Sequence, residues 1–582
     1  MVLTDYIILL IYGIGILYIG SILSRKNKTS ADMFAVKKQS PWWLSGLSAF
    51  MSAFSAGTFV VWGGIAYKQG LVAVSICMCS GVSSFLVGRY FARKWASLGI
   101  TTVGAYVNER FGKGAVQFYT WVGMLFKIIA MGVALYSFAT IISSLIILSP
   151  EHFLADPATG KLSRPIAIII SGILMLFYAV SGGLWAVLII DAIQFVVLTV
   201  TVLFVVPLCF GKVGGVSQFL SSVPKDFMAP ASGNFTYWFL LGWIVVHTFK
   251  LGGEWVFIQR FLAVSSPRNA QKSSYLFGTL YLISPIIWML PPMIYRIMNP
   301  AANPEQAYIL ACASVLPAGM MGLLVAAMFS SAASSIDGEV NVYAGAVTND
   351  FYKLLINPQA TEKQLVLVGR ISSFLIGAVI MFIALTIPYF GGAEKVILTI
   401  TGLLAVSMVL PVLWGLYFGG IRQNAIWYAT GASFITAASA KLLIPFLPDN
   451  AFHQWYQGNS QLIEVLLGIF VPLSVLTFFE LKAKRKMSLA YLFVRETDNH
   501  NKAYNEQQNI HHFPARILGY SIIALGVLIS TLVFTAGEHA VLIGFFAAVL
   551  LLIGLVIIAL VRKQKKASMQ VVKTNEILTI NE

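Results

Sequence analysis

Four serines, Ser330, Ser331, Ser334 and Ser335, fall at i, i+1, i+4 and i+5, so on a helix they form one hydroxyl face. Two carboxylates, Asp337 and Glu339, follow within about a turn, inside the apolar run from Gly322 to Tyr352. A third, Asp191, interrupts AVLIIDAIQFVV. A lone Ser in such a run usually bonds its own backbone. Four on one face beside two carboxylates ask for another account. Hydroxyls and carbonyls are hard oxygen ligands that suit a small monovalent cation such as Na+ rather than a transition metal. A carboxylate near a bilayer centre costs about 2.5–3.5 kcal/mol and marks an ion or proton path by default. A second polar set, His247, Lys250 and Glu254, stands with Gly252 and Gly253 inside IVVHTFKLGGEWVFIQR.

The elements that hold these groups must be membrane helices. Of 582 residues, 58% are hydrophobic and only 11% charged, with a mean hydropathy of +0.81. Soluble domains carry about 25% charged residues. Apolar runs recur at lengths near the roughly 20 residues a helix needs to cross a bilayer, and the alternating ten-residue strands of a β-barrel are absent. Fifteen spans are predicted, near 4–23, 44–66, 70–91, 115–147, 165–181, 184–210, 235–262, 272–298, 316–348, 364–388, 394–419, 421–446, 460–480, 515–535 and 540–562.

The net charge of +16 is spread over short loops and does not form a nucleic-acid-binding domain. With the N-terminus outside, inner segments hold 29 of the 39 Lys and Arg, and outer segments hold eight. Lys127 and Lys250 fall within spans. That asymmetry follows the positive-inside rule and predicts a multi-pass protein of the inner (plasma) membrane with its C-terminus in the cytoplasm. Cys77, Cys79, Cys209 and Cys312 lie in apolar stretches without partner spacing and read as packing residues. The N-terminal run lacks a basic start and a cleavage site, so it reads as a retained helix.

Two spans are poor continuous helices. The second concentrates small and hydroxyl residues in SAFMSAFSAGTFVVWGG (Ser48 to Gly64), and the seventh carries His247 to Glu254. Taken singly, each could reflect close helix packing through small residues. Each is, however, the first helix of a five-helix block, at 44–210 and 235–419, and an odd span number inverts the second block. Paired interrupted segments in inverted repeats are the best sequence pointer to a transporter's binding site. A solute pocket is therefore expected near Thr58, Trp62, His247 and Glu254, with Tyr281 and Gln69 farther out.

At these residues the chain resembles the sodium:solute symporter family. GLSAFMSAFSAGTFVVWGGIAYKQG (Gly46 to Gly70) looks like its first core helix, and TTVGAYVNERFGK (Thr101 to Lys113) like its cytoplasmic loop. SGGLWAVLIIDAIQ (Ser181 to Gln194), IQRFLAVSSPRNAQK (Ile258 to Lys272) and GLLVAAMFSSAASS with Asn341 and NDFYK resemble further motifs in order. The resemblance covers about residues 1–480. It implies an all-α polytopic membrane protein with the leucine-transporter-type five-plus-five inverted-repeat core, plus one N-terminal and about four C-terminal helices. It also implies co-transported Na+ held by carbonyls of Met51, Phe54 and Ser331 and hydroxyls of Ser334 and Ser335. Asp191 matches the family's carboxylate linked to a second cation site or to sodium release. Asp337 stands where relatives often have Ser or Thr, Ile190 where the signature has Thr, and Gly338 where Ser is frequent.

The expected organisation is an N-terminal span and loop (1–43), two repeats (44–210 and 235–419), two peripheral spans (420–480), a cytoplasmic connector (481–514), two C-terminal spans (515–563) and a tail (564–582). Nothing outside the membrane is large enough for an enzyme, and the seven histidines form no nucleophile or metal constellation. The partners expected are a small organic solute, sodium and membrane lipid. Length and C-terminal extension lean toward a sugar or polyol; sialic acid, an amino acid, a carboxylate and proton coupling are the alternatives.

Overall fold

The computed structural model describes residues 1–24, 40–98, 100, 102–181, 184–442, 451–483, 512–535 and 540–580. The basic loop expected between Arg25 and Lys38, Gly182 and Gly183 of the SGGL motif, and most of the connector expected at 481–514 lie outside the described residues.

Lipid offers backbone groups no hydrogen bonds, so apolar runs must satisfy their own amides and carbonyls as helices. In chain order these are α1 Leu3–Ser24, α2 Trp42–Ala53, α3 Thr58–Gln69, α4 Leu71–Ala96, α5 Val103–Phe111, α6 Lys113–Leu145, α7 Arg164–Ser181, α8 Leu184–Lys212, α9 Val216–Ser222 and α10 Tyr237–Gly253. They continue with α11 Trp255–Ala263, α12 Pro267–Met298, α13 Ala307–Val315, α14 Met320–Ile356, α15 Glu362–Phe390, α16 Gly392–Trp414, α17 Gln423–Leu442, α18 Ala451–Lys482, α19 His512–Leu532 and α20 Ala540–Ile580. A two-stranded hairpin, Ala155–Asp156 against Lys161–Leu162, sits between α6 and α7.

Eleven described helices are long and apolar enough to cross a membrane, or twelve with the bent pair α2–α3 taken as one span. Three of the fifteen expected spans are helical where expected but fall short of that measure. α7 runs 18 residues, Arg164–Ser181, up to the residues outside the described set, α10 stops after 17, and α17 is rich in Ala, Ser and Thr. α20 runs on to Ile580, past the expected end near 562, through a Lys-, Gln- and Ala-containing stretch of good helix formers.

Both expected interruptions are present. Between α2 and α3 the chain bends by 58°, and Phe54 is extended at φ −109, ψ 116, with its N–H on the Met51 carbonyl. Five residues at the start of α3, Thr58–Trp62, form a π-helical turn, a feature frequent at functional sites. Between α10 and α11 a single residue, Glu254, is extended at φ −71, ψ 132. The glycines before it act otherwise than through weak helix propensity, for both are helical. A Cβ on Gly252 would lie 2.7 Å from the Phe91 ring, and one on Gly253 would lie 2.6 Å from Val409 Cβ. They are there for close approach, and the break falls one residue later.

The peripheral helices grip the core. Asp5 in α1 accepts hydrogen bonds from the amides of Gly319 (2.7 Å) and Gly322 (3.0 Å), closing the N-terminal end of α14. Gly319 has φ +88, and a Cβ there would meet Leu532 of α19 at 2.5 Å. The Phe204 and Phe546 rings, 5.3 Å apart, seat α20 on α8.

Candidate ion and solute site

α14 passes the gap between α2 and α3, and its serines divide between two partners. Ser331 donates its hydroxyl to the Phe54 carbonyl at 2.8 Å. Ser335 Oγ lies 3.5 Å from the Met51 carbonyl, 3.4 Å from that of Phe54 and 3.0 Å from that of Ser331. Two hydroxyls and three carbonyl oxygens therefore converge where α2 unwinds. Ser334 turns elsewhere: its hydroxyl donates to Asp191. Adjacent helical residues point about 100° apart, so Ser334 and Ser335 cannot share one direction. The five residues expected around one ion thus fall into two touching groups, Met51, Phe54, Ser331 and Ser335 in one and Ser334 with Asp191 in the other.

Asp191, fully buried, also accepts from Ser48 Oγ at 2.5 Å. Arg260 of α11 is equally buried and donates to Ser52 (2.9 Å), Ser48 (3.4 Å), Gln259 (3.2 Å) and the Val256 carbonyl (3.0 Å). It lies within Coulombic range of Asp191, Asp337 and Glu339. Asp337 is buried one turn from Asn341, whose amide donates to it at 2.9 Å. A guanidinium with five fixed donors can hold such a cluster together, whereas removing one member would strand the rest. The sequence reading missed Arg260; a cation closing the apolar run WVFIQR was the available signal.

Beside the oxygen cluster is a cavity of about 170 Å³ between the two helix breaks. Thr58, Trp62, His247 and Glu254, the four expected solute residues, all line it, as does Tyr281, whose hydroxyl donates to the Ala53 carbonyl at 3.1 Å. Gln69 does not, because it ends α3 a helical turn or more beyond the pocket. Ser335 belongs to both the oxygen cluster and the cavity wall. Lys127 of α6 forms ion pairs with Glu254 (2.6 Å) and Glu339 (2.9 Å), tying α6 and α14 to the break after α10. Lys127, Lys250 and Glu254 also line a second cavity of about 80 Å³, so these three face both spaces. The pairing role of Lys127 was not foreseen, although a lone cation in the run 115–147 was visible.

The model of the sodium:solute symporter family matches residues 34–427. A sodium/glucose cotransporter of Vibrio parahaemolyticus is 29% identical over 488 residues, covering 76% of this chain and 85% of that protein. The sodium/sialic acid symporter NanT of Aliivibrio fischeri is 25% identical over 406 residues, covering 64% of this chain and 74% of its own. A solved structure of a substrate-bound, outward-open Na+-coupled sialic acid symporter superposes with a TM-score of 0.69 at 19% identity, over 84% of this chain and all of the other. At that identity the likeness speaks for the fold, the leucine-transporter type. With the family match spanning most of the chain, this multi-pass membrane protein belongs to the sodium:solute symporter family, and Na+ is its co-transported ion.

Proposed function

We propose that the chain carries a small hydroxylated solute, of the sugar or polyol kind, together with Na+ by alternating access around the paired helix breaks. One observation carries this reading: the Ser335 hydroxyl sits among the carbonyls of Met51, Phe54 and Ser331 and also faces the solute cavity. Sodium at that point bridges α2 and α14. Filling it fixes the wall against which the solute packs, so each ligand binds better when the other is present. Ser334, Asp191 and Asp337 form the second cation position, adjoining the first through consecutive serines. The two blocks at 44–210 and 235–419 are the inverted halves that rock about this centre. The N-terminus faces outward and the C-terminus the cytoplasm, as the loop charges require.

The test is radiolabelled uptake into proteoliposomes across a panel of sugars, polyols, amino acids and carboxylates. An inward Na+ gradient is expected to drive accumulation of one class, and Ser335→Ala to weaken its Na+ dependence sharply. Uptake that ignores the Na+ gradient for every solute would overturn the reading.

A further inference from the structure

The solute cavity holds more charge than a neutral sugar needs. Two lysines and two glutamates line it, Lys127, Lys250, Glu254 and Glu339. Lys127 alone takes up both carboxylates, at 2.6 and 2.9 Å. Lys250 has no ion pair or hydrogen bond among the described residues. The two lysines and two glutamates balance in charge, but both carboxylates are bonded by Lys127, so the Lys250 ammonium keeps donors free for a ligand's acceptor in a confined space.

A second observation points the same way. His247 precedes Lys250 by three residues and so shares its helix face. Its Nδ1 lies 2.9 Å from Ser80 Oγ, while its Nε2 is buried with no partner among the described residues. When Ser80 donates to Nδ1, the ring proton resides on Nε2, because the partner of one nitrogen sets the state of the other. The cavity wall then offers an ammonium and a neutral N–H one turn apart, a pair able to meet the two oxygens of a carboxylate with charge-assisted bonds.

We propose that the transported solute carries a carboxylate held by Lys250 and His247, and that it is a small sugar acid, an aldonate or uronate. The rest of the wall fits the remainder of such a molecule. Ser52, Ser55 and Thr58 supply hydroxyls, and Trp62 an aromatic face.

This inference rests on the symporter reading, and two measurements keep them apart. In proteoliposomes with an inward Na+ gradient, radiolabelled gluconate and glucuronate are compared with glucose and proline. In detergent, thermal-shift titration with the same compounds reads binding without transport. At least one sugar acid is expected to enter about ten times faster than glucose at equal concentration. Lys250→Met should raise its KM about thirtyfold, the usual loss on truncating one member of a buried charge pair, and Lys250→Arg should keep the preference for the acid over the sugar. His247→Gln, which retains a neutral donor, should shift KM far less than His247→Ala. Glucose or proline handled as well as the acids, or an unchanged acid-to-sugar ratio in Lys250→Met, would overturn the assignment. Sugar-acid binding that depends on Lys250 without any Na+-driven uptake would support it and remove the symporter reading instead.

Discussion

Ser335 has three carbonyl oxygens within 3.5 Å, so its loss takes one oxygen from the proposed ion shell. Ser335→Ala is expected to raise the Na+ concentration for half-maximal uptake about tenfold, a loss of roughly 1.4 kcal/mol, read from Na+ titrations at fixed solute. Asp191 belongs to a different kind of site. It receives two serine hydroxyls and balances a fully buried guanidinium, so Asp191→Asn should cost stability as well as transport. A loss of about 1–3 kcal/mol is expected, seen as a lower thermal midpoint even without Na+. Single residues were legible in the sequence where polarity and apolar surroundings clashed, as at Asp191, Asp337, His247 and Glu254. Partnerships were not. That Ser334 bonds Asp191 while Ser335 faces carbonyls depends on the rotation of α14 against α2 and α8, which no local pattern encodes.

At the scale of elements, both helix interruptions were readable, but for only partly correct reasons. Hydroxyl-rich SAFMSAFSAG marked the gap at Phe54 well. Gly252 and Gly253 drew attention to the seventh span as helix weakeners, whereas they admit Phe91 and Val409 and leave the break to Glu254. Propensity is a weak prior that tertiary contact overrides. Gly253→Ala should therefore destabilise the fold by about 1–3 kcal/mol through overpacking, and Val409→Ala in the same chain should recover much of that loss in a thermal-shift assay. Independent additive losses would show that the two do not touch.

For the whole molecule the decisive quantity is how many charges cross with each solute. One Na+ moving through 100 mV releases about 2.3 kcal/mol, and a tenfold concentration ratio adds about 1.4 kcal/mol. A single ion thus supports accumulation of several hundred-fold for a neutral solute. A monoanionic solute cancels the electrical part with one ion and regains it only with two. Reversal potentials in proteoliposomes should reveal at least two cations per sugar acid, with Asp337→Asn lowering the count by one. An unaltered count in that variant would move the second cation away from the Asp191 and Asp337 cluster. The all-α membrane class was legible from hydropathy, because bilayers allow so few solutions, and the five-plus-five core from the ordered motifs that resemble the family. The attachment of α19 and α20 to the core was not, since apolar helices in lipid carry no pattern that names their neighbour.

The first helix presents a largely bare surface, with Leu3, Leu10 and Tyr18 more than half exposed, yet its Asp5 holds the amide mouth of α14. A thicker or thinner bilayer that tilts this outrigger must pull on the same rod that carries Ser331 and Ser335. Acyl-chain length thereby becomes a tuning knob for cation affinity. Replacing Asp5 with Ala would slip the clutch, leaving Na+ titrations flat across vesicles of graded thickness.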